Sequence, residues 1–256
     1  MSLSVVVPVY NECENINSFL ERLIPVIERI NIKYEVIFVL DPSSDNSEEI
    51  ILENIKNNIN IKLIKMSRRF GQPAAMLAGI KNSSYDYAVL IDVDLQDPPE
   101  LIEEMYSYTK KGYDTILAER TSKIGENFLR KTIASSGYFL ISKLSDNKIP
   151  MNVGEFRMIS KKIIGYISDL EEKDFFLRGA SSYIGFNSKT LKFDRQQRKQ
   201  GTTKYNKYTG SLKIGLNGIF SFSTKPLHYI TFLSFLSFVF SLLIFIFYLV
   251  LTGLNL

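Results

Sequence analysis

Tyr87-Ala88-Val89-Leu90-Ile91-Asp92-Val93-Asp94-Leu95-Gln96-Asp97-Pro98-Pro99-Glu100 is the stretch from which the fold can be read. Its first five residues form an apolar run of strand length, which stops abruptly in acidic residues and two prolines. Asp92 and Asp94 are two apart, so in extended backbone they point to one side, where two carboxylates can share a hard cation such as Mg²⁺ or Mn²⁺. Asp97 before Pro98-Pro99 has the pattern of a helix N-cap with proline in the first turn, predicting a helix to about Lys111. Acidic ligands at a strand-to-helix junction are the usual arrangement for ligand binding in an open α/β sheet. Taken alone, an Asp-x-Asp is more often a solvated acidic turn, so its meaning rests on its surroundings.

Upstream, the same alternation repeats. Leu3 to Tyr10 is a β-branched run followed by the polar loop Asn11 to Asn15, and Asn15 or Asn17 is placed to cap a helix running to about Ile30. Tyr34–Leu40 predicts a second strand, closed by the turn residues Asp41-Pro42-Ser43-Ser44-Asp45-Asn46-Ser47 and followed by a helix to about Asn57. Ile61–Met66 predicts a third strand, and the loop Ser67 to Gln72 opens a helix from Pro73 to Ile80. Strands and helices at this spacing predict a parallel, mostly doubly wound sheet covered on both faces. The loops after its strands would bring Glu12, Asp41, Arg68 or Arg69, and Asp92 with Asp94 to one edge. Carboxylates and arginines converging there suggest a metal–diphosphate site. No G-x-G-x-x-G follows the first strand and no G-x-x-x-x-G-K-[ST] occurs, which removes the main support for dinucleotide and P-loop readings.

The 256 residues, 45% of them hydrophobic, suffice for a full core. Cys13 is the only cysteine, so no internal disulfide can form, and the short opening run without a basic flank predicts no signal peptide and a cytosolic soluble part. The net charge of +4 is unevenly spread. Residues 192–225 carry +7, residues 1–191 carry −3, and no charged residue lies between Pro226 and Leu256. Tyr229 to Leu254 exceeds the roughly 20 apolar residues needed to cross a bilayer, and it has no polar face. Lys213 and Lys225 just before it place the N-terminal part on the cytoplasmic side, with the basic stretch against anionic headgroups. Three units are expected: a catalytic domain over 1–191, a basic and juxtamembrane segment over 192–227, and a transmembrane helix over 228–256.

Several motifs in order resemble those of glycosyltransferase family 2, of the GT-A fold: SVVVPVYNECENI at 4–16, DPSSDNS at 41–47, RRFGQPAAMLAGI at 68–80 and LIDVDLQDPPELI at 90–102. GEFRMISKK at 154–162, FLRGASSYIGF ending at Phe186, RQQRKQGTTKY at 195–205 and LNGIFSFSTKPL at 216–227 are similar to the polyprenyl-phosphate group of that family. The resemblance implies a Rossmann-like, mostly parallel sheet with helices on both faces, followed by an interfacial and a transmembrane helix. It implies transfer of one sugar, with inversion, from a UDP- or GDP-linked donor to undecaprenyl or dolichyl phosphate at the inner membrane, the catalytic domain facing the cytoplasm.

It also assigns roles. Pro8, Tyr10, Glu12, Asp41 and Arg69 fall on the nucleotide-sugar site, while Asp92, Asp94 and Gln96 hold the metal, Mg²⁺ or Mn²⁺, and the diphosphate. Asp94, Glu155 and Arg198 are the catalytic candidates, and Arg130, Arg195, Arg198 and Lys204 the candidates for the acceptor phosphate. Glu155 also has a structural reading, as a partner of Arg157, and Arg120 and Arg130 have an alternative reading as helix-surface residues. The pattern departs from the family in three places: Leu40-Asp41-Pro42-Ser43 replaces the commoner D-D-G-S, Glu155 stands where Asp is frequent, and Tyr183 where Trp is frequent. The resemblance implies no nucleic-acid partner, and helix bundling in the membrane would give a homo-oligomer. A processive polysaccharide synthase is disfavoured because the chain has no tryptophan for a Q-x-x-R-W motif. A family 2 enzyme with another glycan acceptor, and a non-catalytic nucleotide-sugar-binding membrane scaffold, are the remaining alternatives.

Overall fold

The computed structural model describes residues 1–121, 153–169, 185–196 and 225–253. Seven strands form one sheet: β1 (Ser2–Val9), β2 (Lys33–Leu40), β3 (Ile61–Lys65), β4 (Tyr87–Leu90), β5 (Thr115–Arg120), β6 (Val153–Ser160) and β7 (Ser188–Phe193). The spatial order is β3-β2-β1-β4-β6-β5-β7. β1 pairs in parallel with β2 and β4, β2 with β3, and β5 with β7, whereas β6 runs antiparallel to both β4 and β5. The expected parallel sheet therefore holds for the first four strands and becomes mixed beyond β4.

Helices α1 (Cys13–Ile30), α2 (Ser47–Asn57) and α4 (Leu101–Thr109) share one core with the outward alternate positions of β1, Leu3, Val5, Val7 and Val9. Helices α3 (Gln72–Lys81) and α5 (Lys161–Asp169) share the core on the other face with Val6, Ile37 and Val39. Both faces of β1 are thus covered, which is why Leu3, Val5, Val6 and Val7 are all fully buried. Each such side chain taken out of water contributes roughly 1.5–3 kcal/mol. Gly79 lets α3 approach closely: a Cβ there would lie 2.2 Å from Val6 Cγ1.

Helix starts differ from the sequence expectation. α1 begins at Cys13, ahead of Asn15 and Asn17, because the Asn15 amide already turns back to Glu12 O at 2.9 Å. α4 begins at Leu101 after a turn through Pro98 and Pro99, and Asp97 does not cap it. Asp97 is only 2% exposed, and a carboxylate so buried needs a cationic partner more than a helix needs a cap. Arg120 supplies that partner from the end of β5, so it is not a helix-surface residue.

Helix α6 (Lys225–Gly253) is about 43 Å long at 1.5 Å per residue. It is long and apolar enough to cross a membrane, and none of its described side chains is buried. The expected boundary at residue 191 falls inside β7, so the sheet claims the chain as far as Phe193.

Candidate active site

The C-terminal ends of β1, β2 and β4 and the loop after β3 meet at one edge of the sheet, as the alternation of strands and helices predicts. The loops after β1 and β2 are laced together. Asn11, in the left-handed region at φ 50°, donates its amide to Ser43 Oγ at 3.0 Å and accepts the Ser44 amide on Oδ1 at 2.7 Å. The Glu12 amide donates to Ser47 Oγ at 3.0 Å, and the Cys13 amide to Asp45 Oδ2 at 3.0 Å. These bonds fix Tyr10 and Glu12 at the site's rim, and the Glu12 carboxylate accepts from Asn15 Nδ2 at 2.6 Å.

Asp41 is buried and binds the loop after β3. Its Oδ2 accepts the Gly71 amide at 2.8 Å and its Oδ1 the Phe70 amide at 3.3 Å. Gly71 sits at φ 91°, a backbone open to glycine and strained for other residues. The loop so held carries Arg69, whose guanidinium lies 4.0 Å from the centre of the Tyr10 ring. Asp41 thus shapes the pocket through backbone amides.

The chain then turns sharply after β4. Leu95 adopts φ 59°, a costly conformation for a bulky residue, and its side chain is 1% exposed in the core. Burial of that side chain holds the turn. The Gln96 amide caps Asp94 Oδ1 at 3.1 Å, and Asp94 is itself buried. Gln72 Nε2 donates to Asp92 Oδ1 at 2.6 Å, a contact that the sequence reading missed and that only its position at the start of α3 signals. Burial, with Asp94 and Asp97 adding negative charge nearby, pushes the Asp92 carboxyl up to about 8.

Arg120 Nη2 lies 3.2 Å from both oxygens of Asp97. Gly154 makes room for it, since a Cβ at 154 would stand 3.0 Å from Arg120 Nη2. Arg195 Nη2 donates to Gln96 Oε1 at 2.5 Å. The Gln96 side-chain oxygen thus accepts from a guanidinium. Burial and the charge of Arg120 lower the Arg195 pKa, while Asp97, Asp94 and Asp92 act in the other direction, so all five charges lie within each other's field. The Nε atoms of Arg120 and Arg195 are buried without a hydrogen-bond partner. Glu155, on β6, lies 3.8 Å from Arg157 Nη2, and its charge reaches Asp92. Pro8 lies on β1, close to its C-terminal end. Arg130, Arg198 and Lys204 lie outside the described residues.

Among the described residues no three His, Cys, Asp or Glu side chains converge as a complete metal cage. Two neighbouring carboxylates, Asp94 buried and Asp92 half-buried, nevertheless fit a divalent cation. Mg²⁺ is commonly held by one or two carboxylates with substrate phosphates completing the shell. Asp92 and Asp94 are the pair that would hold it.

Comparison with known proteins accords with this edge. The family profile described as glycosyl transferase family 2 matches residues 4–167. An uncharacterized glycosyltransferase of Synechocystis sp. is 38% identical over 91% of this chain and 73% of its own length. The bactoprenol glucosyl transferase of Shigella phage SfV is 34% identical over 91% of this chain and 76% of its own length. Glucosyl-3-phosphoglycerate synthase from Mycobacterium tuberculosis, solved with Mn²⁺, uridine-diphosphate-glucose and phosphoglyceric acid, has a TM-score of 0.53. That match covers 78% of this chain and 72% of that chain at 14% identity, a likeness of fold.

Proposed function

Because this chain belongs to glycosyl transferase family 2 and is a glycosyltransferase of GT-A fold, we propose that it moves one sugar from a UDP- or GDP-linked donor to polyprenyl phosphate. The observation that carries the proposal is the meeting of opposite charge sets at one sheet edge, Asp92 and Asp94 beside Arg120 and Arg195. The relative named bactoprenol glucosyl transferase supports a lipid-phosphate acceptor, and the apolar helix α6 supports reaction at a membrane. The catalytic unit is the sheet domain through Phe193, followed by the basic segment to residue 227 and by α6 crossing the inner membrane. The sheet domain faces the cytoplasm.

In this reading Tyr10, Glu12 and Arg69 line the place of the nucleotide, with Pro8 and Asp41 shaping it. Asp92 and Asp94 hold Mg²⁺ or Mn²⁺, which when bound neutralises charge on the diphosphate. The acceptor phosphate has a second pKa near about 6 and is already a nucleophile, so no strong base is needed. One of its oxygens forms the bond to the anomeric carbon as the bond from that carbon to the diphosphate oxygen breaks, with inversion. The guanidiniums of Arg120 and Arg195 at the same edge suit that phosphate, and Arg130, Arg198 and Lys204 are the further basic candidates. Glu155 positions the sugar from β6.

The test is turnover in liposomes holding undecaprenyl phosphate, Mn²⁺ and a panel of radiolabelled nucleotide-sugars. Label should enter the lipid phase with one donor, and Asp94→Asn should lower kcat by about 10²–10³-fold, the weight of a lost electrostatic contact at the leaving group. Absence of lipid product with every donor, while nucleotide-sugar binds in a metal-dependent way, would point to another glycan acceptor or to a binding role.

A further inference from the structure

The chain leaving β7 is fastened to the carboxylate loop by a continuous set of bonds. The Gln196 amide donates to Gln96 O at 3.0 Å, beside the Arg195 bond to Gln96 Oε1. Gln196 Oε1 accepts from Arg22 Nη1 at 3.1 Å. Arg22 projects from α1 and is itself fixed by a two-pronged pair with Glu100, Nε to Oε1 at 2.9 Å and Nη2 to Oε2 at 2.7 Å. At the other end of the set, the Gln96 amide holds Asp94 Oδ1. A fork engaged on both prongs by one carboxylate leaves little freedom for its third bond, so Arg22 sets where Gln196 lies.

We infer that Arg22 is a positioning residue for the acceptor. It seats Arg195 and Gln196, the opening of the basic stretch, against the loop carrying Asp94, while its own bonds go to protein groups. The inference rests on the polyprenyl-phosphate reading above. A second pair across the same two helices, Arg29 with Glu103 at 3.5 Å, provides an internal control, because both of its side chains are more than half exposed. If Arg22 were only a staple between α1 and α4, its loss would differ from that of Arg29 in stability alone, with no effect at Gln196 or on the acceptor.

The experiment uses the full chain in liposomes, with Arg22→Met, Arg22→Lys and Arg29→Met. In Arg22→Met the Gln196 amide should exchange about tenfold faster, and KM for undecaprenyl phosphate should rise about tenfold, the weight of one charge-assisted hydrogen bond. Mn²⁺-dependent affinity for whichever of UDP-glucose or GDP-mannose binds the wild type should match that of Arg29→Met. Arg22→Lys, which keeps the charge and loses the fork, should fall between. Unchanged exchange at Gln196, equal losses in Arg29→Met, or a parallel loss of donor affinity would each overturn the inference. A wild type that makes no lipid product would instead overturn the polyprenyl-phosphate reading, and the exchange rate at Gln196 would still decide whether Arg22 seats this segment.

Discussion

Around β1 and β2 the loops at the sheet edge are tied by backbone amides and short polar side chains: Asn11 to Ser43 and Ser44, Glu12 to Ser47, Asp41 to Phe70 and Gly71. Around β4, β5 and β7 the equivalent work falls to guanidiniums, with Arg120 on Asp97, Arg195 on Gln96 and Arg22 on Glu100. Hydrogen bonds between neutral groups each contribute about 1 kcal/mol, and those that the Asp41 carboxylate accepts somewhat more, spread over several partners. Among the guanidinium contacts Arg120–Asp97 is an ion pair with a buried carboxylate, which contributes modestly when intact and costs several kcal/mol when one partner is removed, whereas Glu100 is about half exposed. The first region is therefore the tolerant frame of the site and the second its brittle part.

The sharpest way to break this contrast is Arg120→Met, which strands Asp97 in a site where it is 2% exposed. The expected loss is about 3 kcal/mol, or about 6–12 °C in melting midpoint for a domain of this size, read by calorimetry in detergent. Adding Asp97→Asn should recover part of the loss. A double variant no better than the single would mean that Arg120 acts through packing and not through charge. A smaller loss is expected in the tolerant frame. Gly79→Ala gains about 1 kcal/mol in helix propensity, yet its Cβ meets Val6, and the net cost should be about 1–2 kcal/mol. Val6→Ala in the same chain should relieve it.

The smallest effect concerns Glu35, at the opposite end of the sheet. Burial raises its pKa, but bonds from Lys62 at 2.5 Å, Ser4 Oγ at 2.6 Å and the Ser84 amide at 2.8 Å outweigh that and leave it below the usual range. A lowered folded pKa contributes stability above the unfolded value of about 4.3 and loses it as pH falls through the folded value. Glu35→Gln should therefore cost about 1 kcal/mol at neutral pH and flatten the acid side of the stability profile. An unchanged acid limb would count against the Lys62 pairing as its source.

The tolerant half was also the legible half. Continuous apolar runs such as Val5–Val9 and Val36–Leu40 announce buried strands by length and β-branching, and Asp92 with Asp94 stand where another such run ends. The other half depends on pairings between distant segments. Nothing local in 115–120 or 153–160 says that β6 inserts antiparallel between β4 and β5. Once it does, Arg120 passes over Gly154 to reach Asp97, and a residue that looked like a helix cap becomes half of an ion pair. Leu95 was equally hidden, because its left-handed backbone is held by the burial of its own side chain and not by a turn residue. Gln72 and Arg22 reach the site only because α3 and α1 pack where they do.

Helix α6 offers apolar side chains on every face, and among the described residues none of them is buried. With that helix in a bilayer, enzyme and acceptor share a sheet of lipid a few nanometres thick, and the relevant concentration becomes molecules per unit area. Diluting the acceptor with inert lipid would then slow the reaction even when the amount per millilitre is constant. Donor, arriving from water, would still be counted by volume. The two substrates of the proposed reaction would thus be measured on different scales, with the helix setting which is which.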